Sequence, residues 1–142
     1  MAKVLCCFAP GLEECEGLVS VDLLRRAGID VTIAAVSEER RIVGAHGIAI
    51  ECDALLTEAD YSDFDALLLP GGMPGTENLF ENEIVRALAG DYAAAGRIVA
   101  AICAAQQIDR HQPLAFLQPG CKAAEHLRHG HPPPFIQYLR KV

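Results

Sequence analysis

Three short segments of the chain are apolar without the alternation that marks a strand with one face in water. They are residues 3–9 (KVLCCFA), 65–69 (DALLL) and 97–102 (RIVAAI). Strands of a parallel sheet are covered by helices on both faces, so they read as continuous apolar runs. A further run of this kind, residues 29–36 (IDVTIAAV), follows the first one. The pattern therefore predicts an α/β fold built on a parallel sheet.

Two segments with helical periodicity separate these strands. Residues 14–27 begin with acidic residues, end with a pair of arginines and are followed by Gly28, which suits the helix dipole and a glycine stop. Residues 82–95 form the second predicted helix, and Gly96 follows it. The side chains predicted to face the sheet are Leu18, Val21, Leu24 and Ala27 in the first helix and Ile84, Val85, Leu88, Tyr92 and Ala95 in the second.

Two other segments depart from this alternation of strand and helix. Residues 41–51 hold two short apolar runs around Gly44 and Gly47, which predicts a small hairpin. Residues 106–142 hold five of the eight prolines and four of the five histidines but few β-branched residues, which predicts a mostly irregular tail. We therefore divide the chain into an α/β domain at residues 1–105 and a divergent tail at 106–142.

Composition is typical of one folded domain and argues against several classes of protein. The 142 residues are 51% hydrophobic and 22% charged, enough for a single core. The net charge of −7 disfavours phosphate backbones, so we expect no nucleic-acid partner. No apolar run reaches the roughly 18 residues of a membrane-spanning helix, and no secretion signal is visible. We therefore expect a cytoplasmic protein with no membrane partner.

The six cysteines contain no C-x-x-C pair, so a zinc ribbon or a thioredoxin motif has no support. Cys6 and Cys7 should point to opposite faces of a strand as buried, inert thiols. Cys103 differs because it follows a strand at the sheet edge where open α/β folds bind ligands. Backbone amides and a following helix would favour its thiolate, a potential nucleophile. The alternative is a small apolar residue that closes the strand.

Two further features would lie at the same edge of the sheet. Glu16 is in the first turn of the first helix, where a protonated carboxyl could donate a hydrogen bond to the Cys103 sulfur. Alternatively, Glu13, Glu14 and Glu16 merely complement the helix dipole. The glycine pair at 71–72 follows a buried strand and could supply an oxyanion hole, or it could be an ordinary turn.

Four histidines lie in the predicted tail, at positions 111, 126, 129 and 131. One of them could act as a base for Cys103, and the pair His129 and His131 could form a weak metal site. The alternative is that all four are solvated side chains, because no partner cluster stands at ligand spacing. We therefore predict no metal site.

Four motifs follow one another along the chain: GLEECE at 11–16, DLLRRAGIDVTIA at 22–34, DALLLPGGMPGTENL at 65–79 and GRIVAAICAA at 96–105. Together they resemble the ThiJ/PfpI superfamily, within it the Parkinsonism-associated deglycase branch and its YajL-like proteins. The resemblance runs from about residue 3 to residue 105. It implies a flavodoxin-like, doubly wound parallel sheet sandwich and a homodimer.

The resemblance also implies a set of site residues. Cys103 would be the reactive cysteine, Glu16 the glutamate that contacts it, and the backbone of Gly71, Gly72 and Ala104 the oxyanion pocket. The segment GCKAAEH at 120–126 is similar to a family stretch that would place His126 near the cysteine. Activities found in the family include a glyoxalase that needs no added cofactor, a deglycase, a chaperone, an oxidative-stress sensor and, in other branches, a peptidase.

The chain departs from the family after residue 105. Residues 106–110 (QQIDR) replace the usual proline and apolar helix, and nothing after the GCKAAEH segment resembles the family's later strand, its SRGPGT segment or its final helix. The fold is therefore expected to lack the last elements, as the product of a truncated or frameshifted gene would.

Three functions remain open. In the first, the Cys103 thiolate attacks an α-oxoaldehyde or an early glycation adduct, Glu16 moves protons, and no cofactor takes part. In the second, Cys103 is oxidised reversibly in a redox sensor or chaperone without turnover. In the third, the chain is an inactive, truncated family member.

Overall fold

The computed structural model describes residues 1–58 and 60–103. The described chain forms a five-stranded parallel sheet with the order β5-β2-β1-β6-β7, three helices and an antiparallel hairpin made of β3 and β4. The elements are β1 (Lys3–Phe8), α1 (Glu14–Arg26), β2 (Asp30–Ala35), β3 (Arg41–Val43), β4 (Ala49–Glu51), β5 (Ala54–Leu55), β6 (Ala66–Leu69), α2 (Gly75–Glu81), α3 (Glu83–Ala94) and β7 (Ile98–Ala101).

Strand β1 lies at the centre of the sheet and contributes to two separate cores. Its alternate side chains Val4, Cys6 and Phe8 pack with residues of α1 and the hairpin, such as Val21 and Ile42. On the opposite face, Leu5, Cys7 and Ala9 pack with residues of α2 and α3, including Leu79, Val85 and Tyr92. Layers on both faces confirm the predicted α/β, doubly wound parallel sheet.

The face that α1 turns to the sheet differs from the predicted one. Val21 is buried as predicted, but Leu18 and Ala27 are exposed, and Gly17 is buried instead. A Cβ added at Gly17 would lie 2.7 Å from the Phe8 ring, so the helix rests on the sheet at this glycine. The periodicity identified the helix, but a hydrophobic scale does not anticipate contact through a residue without a side chain.

Helix α3 shows a similar but smaller difference. Val85 and Tyr92 are buried as predicted. Ile84 and Ala95, which were also predicted to face the sheet, are exposed, and Ala89 is buried instead. The predicted hairpin at 41–51 is confirmed as β3 and β4. Two short elements were not predicted: β5 has only two residues, and α2 has seven and begins at a glycine.

The strand order places a topological switch point between β1 and β6. The chain continues from β1 to β2 on one side and from β6 to β7 on the other, so the connections that leave the carboxyl ends of these two adjacent strands diverge. Open α/β sheets bind their ligands in the crevice that this divergence creates. The segments that follow β1, β6 and β7 carry Glu16, the glycine pair at 71–72 and Cys103, respectively.

No helix within residues 1–58 and 60–103 is both long and apolar enough to cross a membrane. The predicted tail at 106–142 lies outside the described residues, so the proposed division of the chain at residue 105 stays a prediction.

Candidate active site

Cys103 ends the described chain at the carboxyl edge of the sheet, two residues beyond β7. Its side chain is exposed and its backbone has φ 56°, the only positive φ at a residue other than glycine within the described ranges. This left-handed conformation costs a residue with a Cβ about 1–3 kcal/mol, and such costs concentrate at functional sites. The turn presents the sulfur at the rim of the sheet, as the sequence predicted.

Glu16 reaches Cys103 from the first turn of α1. Its carboxylate accepts a hydrogen bond from the Cys103 thiol, and its Oε2 accepts a second one from the Gly71 amide at 2.8 Å. Glu16 and Cys103 are therefore in contact, but the hydrogen bond runs from the thiol to the carboxylate, opposite to the direction expected from the sequence. Glu16 does more than complement the helix dipole, because both of its partners come from distant strands.

Gly71 allows this close approach. A Cβ at this position would lie 2.6 Å from Glu16 Oε2, 2.7 Å from Cys103 Cβ and 2.8 Å from the Ile102 carbonyl oxygen. Any side chain here would separate β6 from both functional groups, which gives this glycine a role beyond an ordinary turn. Its amide, however, already donates to Glu16. Among the described residues, Gly72 therefore has the backbone amide that is the better candidate for an oxyanion donor.

Gly72 has φ 104° and packs against the turn that precedes α1, where a Cβ would collide with the Glu13 amide nitrogen. The Glu13 amide in turn donates to the Gly71 carbonyl at 2.8 Å. The glycine pair thus joins the end of β6 to the start of α1. Ala104 and His126, the other predicted site residues, lie outside the described residues, and their roles stay predictions.

The described surroundings of Cys103 do not stabilise a thiolate, contrary to the expectation from the sequence. Burial raises the pKa of the Cys103 thiol, and the nearby carboxylates of Glu16 and Glu13 raise it further. The expected opposing groups, a following helix and its amides, would come after residue 103 and lie outside the described residues. The described part of the site therefore favours the neutral thiol, which donates a hydrogen bond to the Glu16 carboxylate.

The buried cysteines of β1 provide a contrast. Cys6 and Cys7 have no exposed surface and lie in opposite cores, as predicted. Burial raises the pKa of Cys7 to about 12 and raises that of Cys6 as well. Cys15, by comparison, is exposed on α1.

Sequence reasoning missed an ionic cluster next to this site. Glu14 is only 4% exposed, and its carboxylate accepts hydrogen bonds from the His46 amide at 2.8 Å and from His46 Nδ1 at 2.9 Å. Although burial opposes ionisation, these hydrogen bonds lower the pKa of Glu14 to about 2. The same hydrogen bond raises the pKa of His46, and Glu13 contributes through its charge.

Glu13, Glu14 and His46 also form a group that could hold a metal ion. One ligand atom from each of the three lies within 4.8 Å of the others. Two carboxylates and an imidazole suit divalent transition metals. The only sequence feature near His46 that could have drawn attention to it is its position between Gly44 and Gly47 in the predicted hairpin turn.

Comparison with known proteins identifies the family. The model of the DJ-1/PfpI family matches residues 2–112. Protein DJ-1 homolog B of Arabidopsis thaliana is 41% identical over 103 residues, which cover 72% of this chain and 24% of the relative. A relative from Thermococcus kodakarensis named Deglycase TK1284 is 34% identical over 106 residues, which cover 75% of this chain and 63% of that protein.

A solved structure gives the same result for the fold. The structure of oxidized Toxoplasma gondii DJ-1 aligns with a TM-score of 0.75 and 32% identity, over 83% of this chain and 64% of that one. The chain thus spans less than two thirds of the length of each of these three proteins. The resemblance noted from the sequence is confirmed, and the chain belongs to the DJ-1/PfpI family.

Proposed function

We propose that this chain is a cysteine-dependent, cofactor-independent enzyme that acts on α-oxoaldehydes or early glycation adducts. The observation that carries the proposal is the exposed Cys103 in a left-handed turn, with its thiol hydrogen-bonded to Glu16 at the switch point of the sheet. A nucleophile paired with a proton acceptor is the arrangement that covalent catalysis requires. The family relative named as a deglycase supports the same class of reaction.

The geometry favours Glu16 as the base for the first step. As the sulfur of Cys103 forms a bond to the aldehyde carbon, the thiol proton passes to the Glu16 carboxylate, and the carbonyl electron pair moves to oxygen. The resulting oxyanion would be held by backbone amides of Gly72 and Ala104. Glu16 would then return this proton to the oxyanion and, as a carboxylate again, would move the proton of the sulfur-bound carbon to the neighbouring carbon, while the hydroxyl proton passes to the neighbouring oxygen and a thioester forms. Water would attack the thioester carbon, release the hydroxy acid and restore the thiol.

The decisive experiment is turnover of methylglyoxal to lactate by the Cys103→Ala variant. We expect lactate formation to be lost, because the variant cannot form the covalent intermediate. Cys15→Ala, which removes another exposed thiol, should retain activity. Lactate formation by a folded Cys103→Ala protein at the rate of the original chain would contradict the proposal.

A redox sensor is the second candidate, since an exposed thiol beside a carboxyl group is also placed for oxidation to a sulfenic or sulfinic acid. The oxidized state named for the Toxoplasma gondii relative favours it. Under mild peroxide, mass spectrometry should find Cys103 oxidised before Cys15. Equal oxidation of Cys103 and Cys15 would contradict this function.

We also propose that a second copy of the chain covers part of its surface. Leu18, Val19 and Leu23 of α1 and Val43 and Ile48 of the hairpin segment are 39–54% exposed, an apolar character that is typical of interfaces. Sedimentation should show a dimer that Leu23→Glu weakens. A monomer that unfolds without cooperativity would instead favour the inactive fragment. The cytoplasmic location stays a prediction.

A further inference from the structure

Helix α1 begins without the usual local support. Its N-cap residue, Glu13, makes no side-chain hydrogen bond to the first turn. A capping side chain ordinarily accepts a hydrogen bond from one of the amides that the first turn leaves unpaired. The position of the first turn must therefore depend more on contacts from elsewhere in the fold, and this turn carries Glu16.

The β3–β4 hairpin supplies such contacts through the backbone. The Gly11 amide donates to the Val43 carbonyl at 2.8 Å, and the Ala45 amide donates to the Leu12 carbonyl at 2.8 Å. These two bonds hold the hairpin against the turn that leads into α1.

Glu14 adds the side-chain part of this contact. Its carboxylate accepts from the His46 amide, the His46 ring and, at 3.4 Å, the Ile48 amide. Gly44 makes room for it, because a Cβ at that position would lie 2.6 Å from Glu14 Cγ. A buried carboxylate is tolerated only when hydrogen bonds replace its water shell, and here the hairpin provides them.

Glu14 and Glu16 both lie in the first turn of α1 but make contacts on different sides of it. Successive residues of an α-helix are rotated by about 100°, so side chains two residues apart point to nearly opposite sides. Glu14 reaches the hairpin, whereas Glu16 reaches Gly71 and the Cys103 thiol. A rotation or shift of the first turn would therefore move both contacts together.

We propose that Glu14 is a positioning residue, which locks the first turn of α1 to the β3–β4 hairpin and thereby holds the Glu16 carboxyl group at Cys103. The inference rests on the proposed role of Cys103 as the reactive residue. Its test needs no turnover, so it can fail while the proposed enzyme activity stands, and the reverse also holds.

The test is the pH dependence of Cys103 alkylation by iodoacetamide, followed by mass spectrometry of the Cys103 peptide in the full chain. In Glu14→Ala the hairpin contact is lost and Glu16 is no longer held beside the thiol. The pH midpoint of Cys103 alkylation should move to lower pH by about half a unit to one unit. Alkylation near neutral pH should therefore be about three to ten times faster. Glu14→Gln keeps an acceptor for the hairpin amides and should shift less.

Glu58→Ala is the matched control. Glu58 also accepts hydrogen bonds from a charged side chain, Arg40, at 2.9 Å and from a backbone amide, that of Leu55, but it lies away from the site. It should leave the Cys103 midpoint unchanged even where it lowers the melting temperature.

Two results would overturn the inference. In one, Glu14→Ala lowers the melting temperature but leaves the Cys103 midpoint in place; in the other, Glu58→Ala shifts the midpoint as far as Glu14→Ala does. Should Glu14→Ala fail to fold, Glu14→Gln and His46→Ala decide. The inference then requires that each of them accelerates alkylation relative to Glu58→Ala.

Discussion

Cys7 in the middle of β1 and Cys103 at the rim of the sheet carry the same thiol in different surroundings. Cys7 has no exposed surface, and its neighbours are apolar side chains of the α2 and α3 core. Cys103 is exposed, and its thiol donates a hydrogen bond to the Glu16 carboxylate. The raised pKa of both thiols comes first from burial, but only at Cys103 does a proton acceptor stand beside the sulfur. A proton acceptor beside the sulfur and exposure to solvent, more than thiol acidity, distinguish Cys103 from Cys7.

The largest expected effect is the difference in alkylation rate between these two cysteines. Native domains have a free energy of unfolding of about 5–15 kcal/mol, so a thiol that reacts only after unfolding is slowed by at least about a thousandfold. Time-resolved iodoacetamide labelling with mass spectrometry should therefore modify Cys103 long before Cys7. In denaturant the two rates should converge. Comparable native rates would break the comparison.

The next effect concerns the packing at Gly71. In Gly71→Ala the new methyl group meets Cys103 Cβ and the Ile102 carbonyl, so we expect a loss of about 1–3 kcal/mol of stability. Gly90→Ala is the control, because nothing lies within 4 Å of a Cβ there and alanine favours a helix by about 1 kcal/mol. Thermal or urea unfolding measures both. A Gly71→Ala protein as stable as the original would show that the residues around position 71 accommodate the methyl group at little cost in free energy.

A smaller effect is expected from the charge of Glu16. Glu16→Gln removes one of the causes that raise the pKa of the Cys103 thiol, although burial remains. The alkylation midpoint of Cys103 should move to lower pH by less than about one unit, or tenfold in rate. A shift to higher pH would contradict the proposed hydrogen bond from thiol to carboxylate.

The smallest effect is the pH dependence of stability from Glu14 and His46. The Glu14 carboxylate has a lowered pKa, so it stabilises the fold at pH values above its ordinary pKa of 4.5. This contribution is lost as the pH falls through about 2. The His46 imidazolium has a raised pKa, so it stabilises the fold at pH values below its ordinary pKa of 6.5. This contribution is lost as the pH rises through the pKa of His46 in the folded protein. The pair should therefore contribute most between about pH 4.5 and 6.5.

Urea unfolding across this pH range, in the original chain and in His46→Asn, measures the contribution. The asparagine side chain does not titrate, so the loss of stability above pH 6.5 should shrink in the variant. The same loss in both proteins would assign the pH dependence to other groups.

Local patterns in the sequence were sufficient for the main elements. The apolar runs predicted β1, β2, β6 and β7, because a strand covered on both faces needs apolar side chains at successive positions. The glycine stops were also predicted, and Gly28 and Gly96 both have positive φ. The short β5 and α2 were missed because two and seven residues carry too little periodicity to recognise.

The candidate site was predicted only in part. Cys103, Glu16 and the glycine pair at 71–72 could be placed at one edge, because parallel strands end on the same side of a sheet. The direction in which the surroundings shift the Cys103 thiol could not be predicted, since it depends on which charges lie near the sulfur.

The sequence by itself determined the layered α/β fold and brought the chemically capable residues to one edge of the sheet. Only the tertiary structure decided that Glu14 faces the hairpin while Glu16 faces Cys103. Glu14 and His46 are 32 residues apart, and their contact depends on how the hairpin packs on α1. Periodicity is a property of neighbouring residues, whereas such a contact follows from the packing of elements that are distant in the chain.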